Sequence, residues 1–122
     1  MYAEDDSSTR ELIEICFQEY FFGKVNLEIF EDGSSLEERL QRGSEGIDLV
    51  LTDNKMPGFH GSEIIRDYAK KNGYEKIPFI LCYGGSPEIG KQAIKDGATN
   101  YIIKPTNLNE FTNSIKRALK IE

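Results

Sequence analysis

The sequence predicts an α/β domain of the doubly wound kind, with one five-stranded parallel sheet and helices on both faces. Three observations predict it. Strand-like and helix-like segments alternate five times along 122 residues, and strict βα alternation implies a parallel sheet. The runs Leu49-Val50-Leu51-Thr52 and Phe79-Ile80-Leu81-Cys82-Tyr83 are continuously β-prone, as in strands covered on both faces. A mass of 13.9 kDa fits one domain over residues 1–122, with little room for a second.

The elements follow in order. Strand β1 is expected at residues 2–4. Ser8-Thr9-Arg10-Glu11 has the spacing of a capping box, in which the two side chains satisfy orphan backbone donors. Leu12, Ile13, Cys16, Phe17, Tyr20 and Phe21 then recur at helical spacing, so helix α1 covers 12–21, with Gly23 suited to its C-terminal cap. Val25, Leu27 and Ile29 alternate as strand β2 (25–29). Ser35-Leu36-Glu37-Glu38 repeats the capping spacing and opens α2 (35–43). Strand β3 is 49–52. Ile64, Ile65, Tyr68 and Ala69 mark α3 (64–69), and β4 is 79–83. Ile89, Ala93 and Ile94 mark α4 (89–94), ended by Gly97. Tyr101-Ile102-Ile103 is β5 (101–103), and Leu108, Phe111, Ile115 and Leu119 line α5 (108–119). No linker, internal repeat or low-complexity segment interrupts the pattern, and no output domain is expected after α5.

Composition excludes several classes. At 39% hydrophobic and 30% charged the chain reads as soluble and globular. No apolar run approaches the roughly 20 residues of a membrane span. The start, Met1-Tyr2-Ala3-Glu4-Asp5-Asp6, is acidic where a secretory signal is basic and then apolar, so the cytoplasm is the expected compartment. Cys16 and Cys82 each sit in an apolar stretch and read as buried reduced thiols. With His60 they are too few to ligate zinc. Net charge is −6, with 14 acids and 5 bases in residues 1–61 and 7 acids and 10 bases in residues 62–122. The later bases are spread over several helices, which disfavours direct nucleic-acid binding.

The chemistry collects at strand ends. In such sheets ligands bind outside the carboxyl ends of the strands. Asp5 and Asp6 follow β1, Asp53 follows β3, and Lys104 follows β5. Three carboxylates packed together repel one another unless a divalent cation relieves them. Mg²⁺ (or Mn²⁺) takes one or two carboxylates plus phosphate oxygens. A lysine adds a point charge for a phosphoryl group, and one carboxylate is left to attack phosphorus as a nucleophile. Single acids at strand ends often only cap helices, as Asp6 could for α1. The convergence of four charged positions favours the phosphoryl site.

These segments resemble the response-regulator receiver family over essentially the whole chain. Asp5-Asp6-Ser7-Ser8-Thr9 is similar to the acidic pair that opens its first loop. Residues 49–61 are similar to its phosphoacceptor segment, with Met56-Pro57 after Asp53 and Gly61 at the start of the next helix. Gly97-Ala98-Thr99-Asn100-Tyr101-Ile102-Ile103-Lys104-Pro105 is similar to its closing segment. The resemblance implies a flavodoxin-like strand order, 2-1-3-4-5. It implies Asp53 as the phosphorylated nucleophile, Asp5 and Asp6 as metal ligands beside Asp53, and Lys55 as a ligand through its backbone carbonyl. It implies Lys104 as the partner of the phosphoryl oxygens, a cis bond before Pro105, and Tyr101 as the aromatic switch, a position that the residues alone read equally as a plain amphipathic strand residue.

Three departures from the family stand out. Its fourth strand normally ends in Ser or Thr, whose hydroxyl contacts the phosphoryl group; here that position is Tyr83. Ser86 could supply a hydroxyl only if the loop folds back. The expected consequence is a weakened or rewired switch. The first strand is short, so either its start is clipped or the sheet tolerates the loss. His60 stands where the family often has an acid or amide, and reads as a surface loop residue. Gly84 and Gly85 leave the rim of the site open.

The function expected is a phosphoacceptor switch, not an enzyme in the usual sense. Its phosphodonor would be a histidine kinase or phosphotransfer protein. Its partner or second-copy surface would be α4, β5 and α5, with Lys91, Lys95, Lys116 and Lys120 near it. Slow self-dephosphorylation would reset it. The rivals are a degenerate receiver used as a docking module, which Tyr83 motivates, and a Mg²⁺-dependent phosphatase, which lacks a visible general acid and substrate cap.

Overall fold

The computed structural model describes residues 2–3, 14, 29–30, 32–55, 58, 60–104 and 108–119. The strands are β1 (Tyr2–Ala3), β2 (Ile29–Phe30), β3 (Val50–Asp53), β4 (Phe79–Tyr83) and β5 (Asn100–Ile103). The helices are α2 (Gly33–Gln41), α3 (Gly61–Tyr68), α4 (Pro87–Lys95) and α5 (Leu108–Leu119). Predicted α1 lies outside the described residues except for Glu14. The described strands lie in the order β2-β1-β3-β4-β5 with every pairing parallel. This is a flavodoxin-like parallel sheet packed with helices.

Period-two alternation along the central strands divides the core. Val50, Phe79, Leu81 and Tyr83 face one side, with Leu36 and Leu40 of α2 and Ile64, Ile65 and Tyr68 of α3. Leu51, Ile80, Cys82 and Ile102 face the other, against Phe111 and Ile115 of α5. Leu51, Ile80 and Leu81 are fully buried, which explains the unbroken apolar runs. Each such side chain contributes roughly 1.5–3 kcal/mol, far more than strand propensity alone.

The helix ends correct the sequence reading at α2 and agree with it at α3 and α4. Helix α2 is capped by Asp32, whose Oδ1 accepts from Ser35 N–H at 2.8 Å. Ser35 therefore lies in the first turn, and the helix starts earlier than its own capping spacing indicated. Helix α3 starts at Gly61 as the family resemblance implies, and the exposed His60 is its N-cap, its N–H donating to Glu63 Oε1 at 2.9 Å. The expectation that α4 ends at Gly97 holds. After the C-cap Asp96, Gly97 N–H donates to Ile94 O at 3.1 Å and Ala98 N–H to Ala93 O at 2.9 Å. That is a Schellman closure, and it needs the φ of +114° that glycine adopts without strain.

Parallel pairing sends the reactive strand ends to one edge. Ala3 pairs with Thr52, Asp53 with Cys82, and Tyr83 with Ile103. The chain therefore leaves β1, β3, β4 and β5 at the same end of the sheet.

Candidate functional site

Asp53 is the last residue of β3 rather than the first of the loop. Its backbone is held from below by α3. Gly61 N–H donates to Asn54 O at 3.0 Å, and a Cβ on Gly61 would collide with the carbonyl oxygen of Asp53. His60 Nδ1 lies 3.0 Å from the same Asn54 oxygen. A carbonyl only accepts, so the ring nitrogen carries the proton there. Asn54 Oδ1 accepts from Ser62 N–H at 3.0 Å. Asn54, next to Asp53, is thus tied to the first residues of α3.

The carboxylate of Asp53 has two partners of opposite kind. Oδ1 accepts the Asn54 N–H at 2.8 Å. Oδ2 lies 3.3 Å from Lys104 Nζ, with the Asp53 side chain 13% and the Lys104 side chain 32% exposed. Residues 53 and 104 are 51 positions apart in sequence, and the parallel sheet brings them together. Around them opens a cleft of about 400 Å³ lined by Asp53, Asn54, Lys55, Tyr83, Gly84, Gly85, Ile89 and Lys104. Lys55, Gly84 and Gly85 are exposed, so the rim of the cleft opens to solvent.

Tyr83 does not present its hydroxyl to the cleft as a Ser or Thr would. Its ring is buried in the α3–α4 side of the core. Its O–H donates to Ser86 O at 2.7 Å and accepts from Gly90 N–H at 2.9 Å. Ser86, read from the sequence as a substitute hydroxyl, is instead the N-cap of α4, and its Oγ accepts from Glu88 N–H at 3.2 Å. The Ser86-Pro87-Glu88 order carries that signal, since a serine cap followed by proline opens helices. Tyr101 packs beside Tyr83, ring centroids 6.2 Å apart. Its ring fills the space a Cβ on Gly90 would need. Gly90 went unnoticed in the sequence, although a glycine inside a helix costs about 1 kcal/mol and so implies a packing reason.

Asp5, Asp6 and Pro105 lie outside the described residues, so the acidic pair and the cis bond have no geometry here. Among the described residues no three His, Cys, Asp or Glu side chains cluster as a metal site. The donor chemistry nonetheless fits a hard cation, because a carboxylate stands in an open cleft beside an exposed loop that offers oxygen ligands. Lys91 and Lys95 are exposed on α4, Lys116 is half-buried, and Lys120 lies outside the described residues. No described helix is long and apolar enough to cross a membrane.

Comparison with known proteins agrees with this geometry. The model of the response regulator receiver domain matches residues 1–116. The response regulator protein PilR of Pseudomonas aeruginosa is 26% identical over 121 residues, covering 99% of this chain and 26% of PilR. This chain spans less than a third of the length of the first curated relatives it matches. A receiver domain protein from Clostridium thermocellum superposes with a TM-score of 0.83 at 22% identity, covering 98% of this chain and 91% of that one. The chemotaxis response regulator CheY4 of Vibrio cholerae gives 0.81 at 23% identity, covering 97% and 95%. The matched segment includes β3 with Asp53 and β5 with Lys104, and on that ground the chain belongs to the response regulator receiver domain family of two-component signalling systems.

Proposed function

We propose that this domain is a phosphoacceptor switch in which Asp53 takes a phosphoryl group from a phosphohistidine. The observation that carries the reading is the Asp53–Lys104 pair, 3.3 Å apart at the mouth of an open cleft. In the transfer one Asp53 oxygen forms a bond to phosphorus as the P–N bond of the donor breaks, and the donor imidazole leaves with its electron pair. Lys104 shifts its ammonium from the carboxylate to the phosphoryl oxygens and balances their charge. Phosphoryl transfer needs mainly this positioning and neutralisation. Asp53, the Lys55 carbonyl, Asp5 and Asp6 are the residues that would hold Mg²⁺. When bound, the cation supplies charge neutralisation for the equatorial oxygens.

The complete sheet is taken as the five-stranded order 2-1-3-4-5, and the setting as cytoplasmic. The phosphodonor is a sensor histidine kinase or phosphotransfer protein. The face of α4, β5 and α5 is the partner or homodimer surface, and nucleic acid is not contacted directly. A groove of about 440 Å³ between β5 and α5, lined by Tyr101, Ile103, Glu110, Asn113 and Arg117 among others, supports that choice.

The commitment of the Tyr83 hydroxyl to α4 favours one second reading, a docking module that no longer accepts phosphate. Intact-mass spectrometry after incubation with acetyl phosphate and Mg²⁺ separates the two. Addition of one phosphoryl group, lost in Asp53→Ala and without Mg²⁺, is expected. An unchanged mass leaves the docking module.

A further inference from the structure

The last ladder bond of β5 ends on Tyr83. Lys104 N–H donates to Tyr83 O at 2.6 Å, and the Lys104 ammonium reaches Asp53. The side chain of the same tyrosine runs the other way, into α4. Helices α2 and α3 close their first turn directly, Leu36 N–H to Asp32 O at 3.4 Å and Ile64 N–H to His60 O at 3.2 Å. In α4 Ile89 N–H donates to Ser86 O at 3.2 Å, but the pair equivalent to those two, Gly90 N–H and Ser86 O, is bridged by the Tyr83 phenol. The hydroxyl is spliced into the helix where a backbone bond would otherwise lie. A phenol has one proton to donate, and Ser86 O receives it.

We propose that Tyr83 is a positioning residue that links Lys104 to the N-terminus of α4, with its carbonyl holding the lysine and its hydroxyl replacing one bond of the helix's first turn. This inference rests on the phosphoacceptor reading and names how that site is felt elsewhere. A shift of Lys104 toward a phosphoryl group pulls on the Tyr83 carbonyl. The ring is buried and close-packed, so it moves with its backbone rather than absorbing the shift. The hydroxyl then moves against Ser86 and Gly90, and α4 re-seats on Tyr101. The signal enters α4 without any hydroxyl reaching the phosphate.

A double-mutant cycle followed at the Gly90 amide resonance tests this. Lys104→Ala is expected to shift that amide in the otherwise unaltered chain. In a Tyr83→Phe background the same change is expected to shift it by less than about a third as much, since Phe keeps the ring and loses the bridge. A merely structural Tyr83 would lower the melting temperature and leave the two shifts equal. No shift in the Tyr83 chain overturns the inference without needing the Phe variant, and so do equal shifts in both backgrounds. Acetyl phosphate with Mg²⁺ is then applied to both Lys104-containing proteins at matched phosphorylated fraction, read by intact mass. The Gly90 response is expected in the Tyr83 protein and reduced in Tyr83→Phe; an equal response overturns the link. If no phosphoryl group adds, the phosphoacceptor reading falls, and the lysine cycle alone decides the link.

Discussion

The ring of Tyr101 occupies the space in which a side chain at Gly90 would begin. A Cβ on Gly90 would overlap Cγ, Cδ2 and Cε2 of that ring, and Tyr83 packs beside it. Helix α4 therefore rests on β5 through a bare Cα.

Gly90→Ala sets two effects against each other. Alanine gains about 1 kcal/mol of helix propensity over glycine. Overpacking against a fixed ring costs typically 1–3 kcal/mol. The variant is expected to lose stability, or to drive Tyr101 outward, read as a lower urea midpoint and a changed Tyr fluorescence. A stabilised protein with unaltered fluorescence would show that the ring is not seated there.

Lys104→Met should separate chemistry from folding. The Lys104 side chain is 32% exposed, and ion pairs at such sites contribute about 0–1 kcal/mol. The urea midpoint should move little. The rate of phosphoryl incorporation from acetyl phosphate should fall by roughly 10²-fold, as when one charge-stabilising donor is removed. An unchanged rate would remove Lys104 from the site.

The start of α2 can be decided by two substitutions. Asp32→Ala removes the carboxylate that accepts Ser35 N–H at 2.8 Å and should cost about 1 kcal/mol. Ser35→Ala, at an exposed position in the first turn, should stay within about 0.5 kcal/mol. Chemical denaturation of both variants gives the comparison; the reverse order of effects would restore Ser35 as the cap.

Alkaline stability should depend on Tyr68. Burial first, and its hydrogen bond to Glu37 Oε1 at 2.9 Å second, push the phenol up to about 12. A group raised in the folded state stabilises fully below its unfolded value of about 10. That contribution is lost as pH climbs from there through about 12. The stability difference between the native chain and Tyr68→Phe should thus be constant below pH ~10 and change in that window. A difference flat across the whole range would mean the phenol titrates normally.

Much of this architecture was legible in the sequence because it follows from periodicity and strand ends. Asp53 and Lys104 could be paired on paper, since parallel strands deliver both to one edge. The destination of the Tyr83 hydroxyl could not, because it depends on how far a phenol reaches across a neighbouring helix. The α2 cap was placed at Ser35 by its capping spacing, yet Asp32 three residues earlier is as good a cap by preference, and only the backbone decides between them. The α3 box was missed because histidine is a poor cap by preference, although Glu63 stands three residues on. Ser86 was read only as a spare hydroxyl beside Asp53, whereas the Pro87 that follows it is the signal of the helix cap it forms.

Because a Cβ at position 61 would fall on the carbonyl oxygen of Asp53, the turn that carries this carboxylate has room for glycine alone. Any residue larger than glycine at 61 would tilt the peptide that aims Asp53. The clash is with a main-chain oxygen, so it holds whatever side chain stands at 53 and marks a demand of the turn itself.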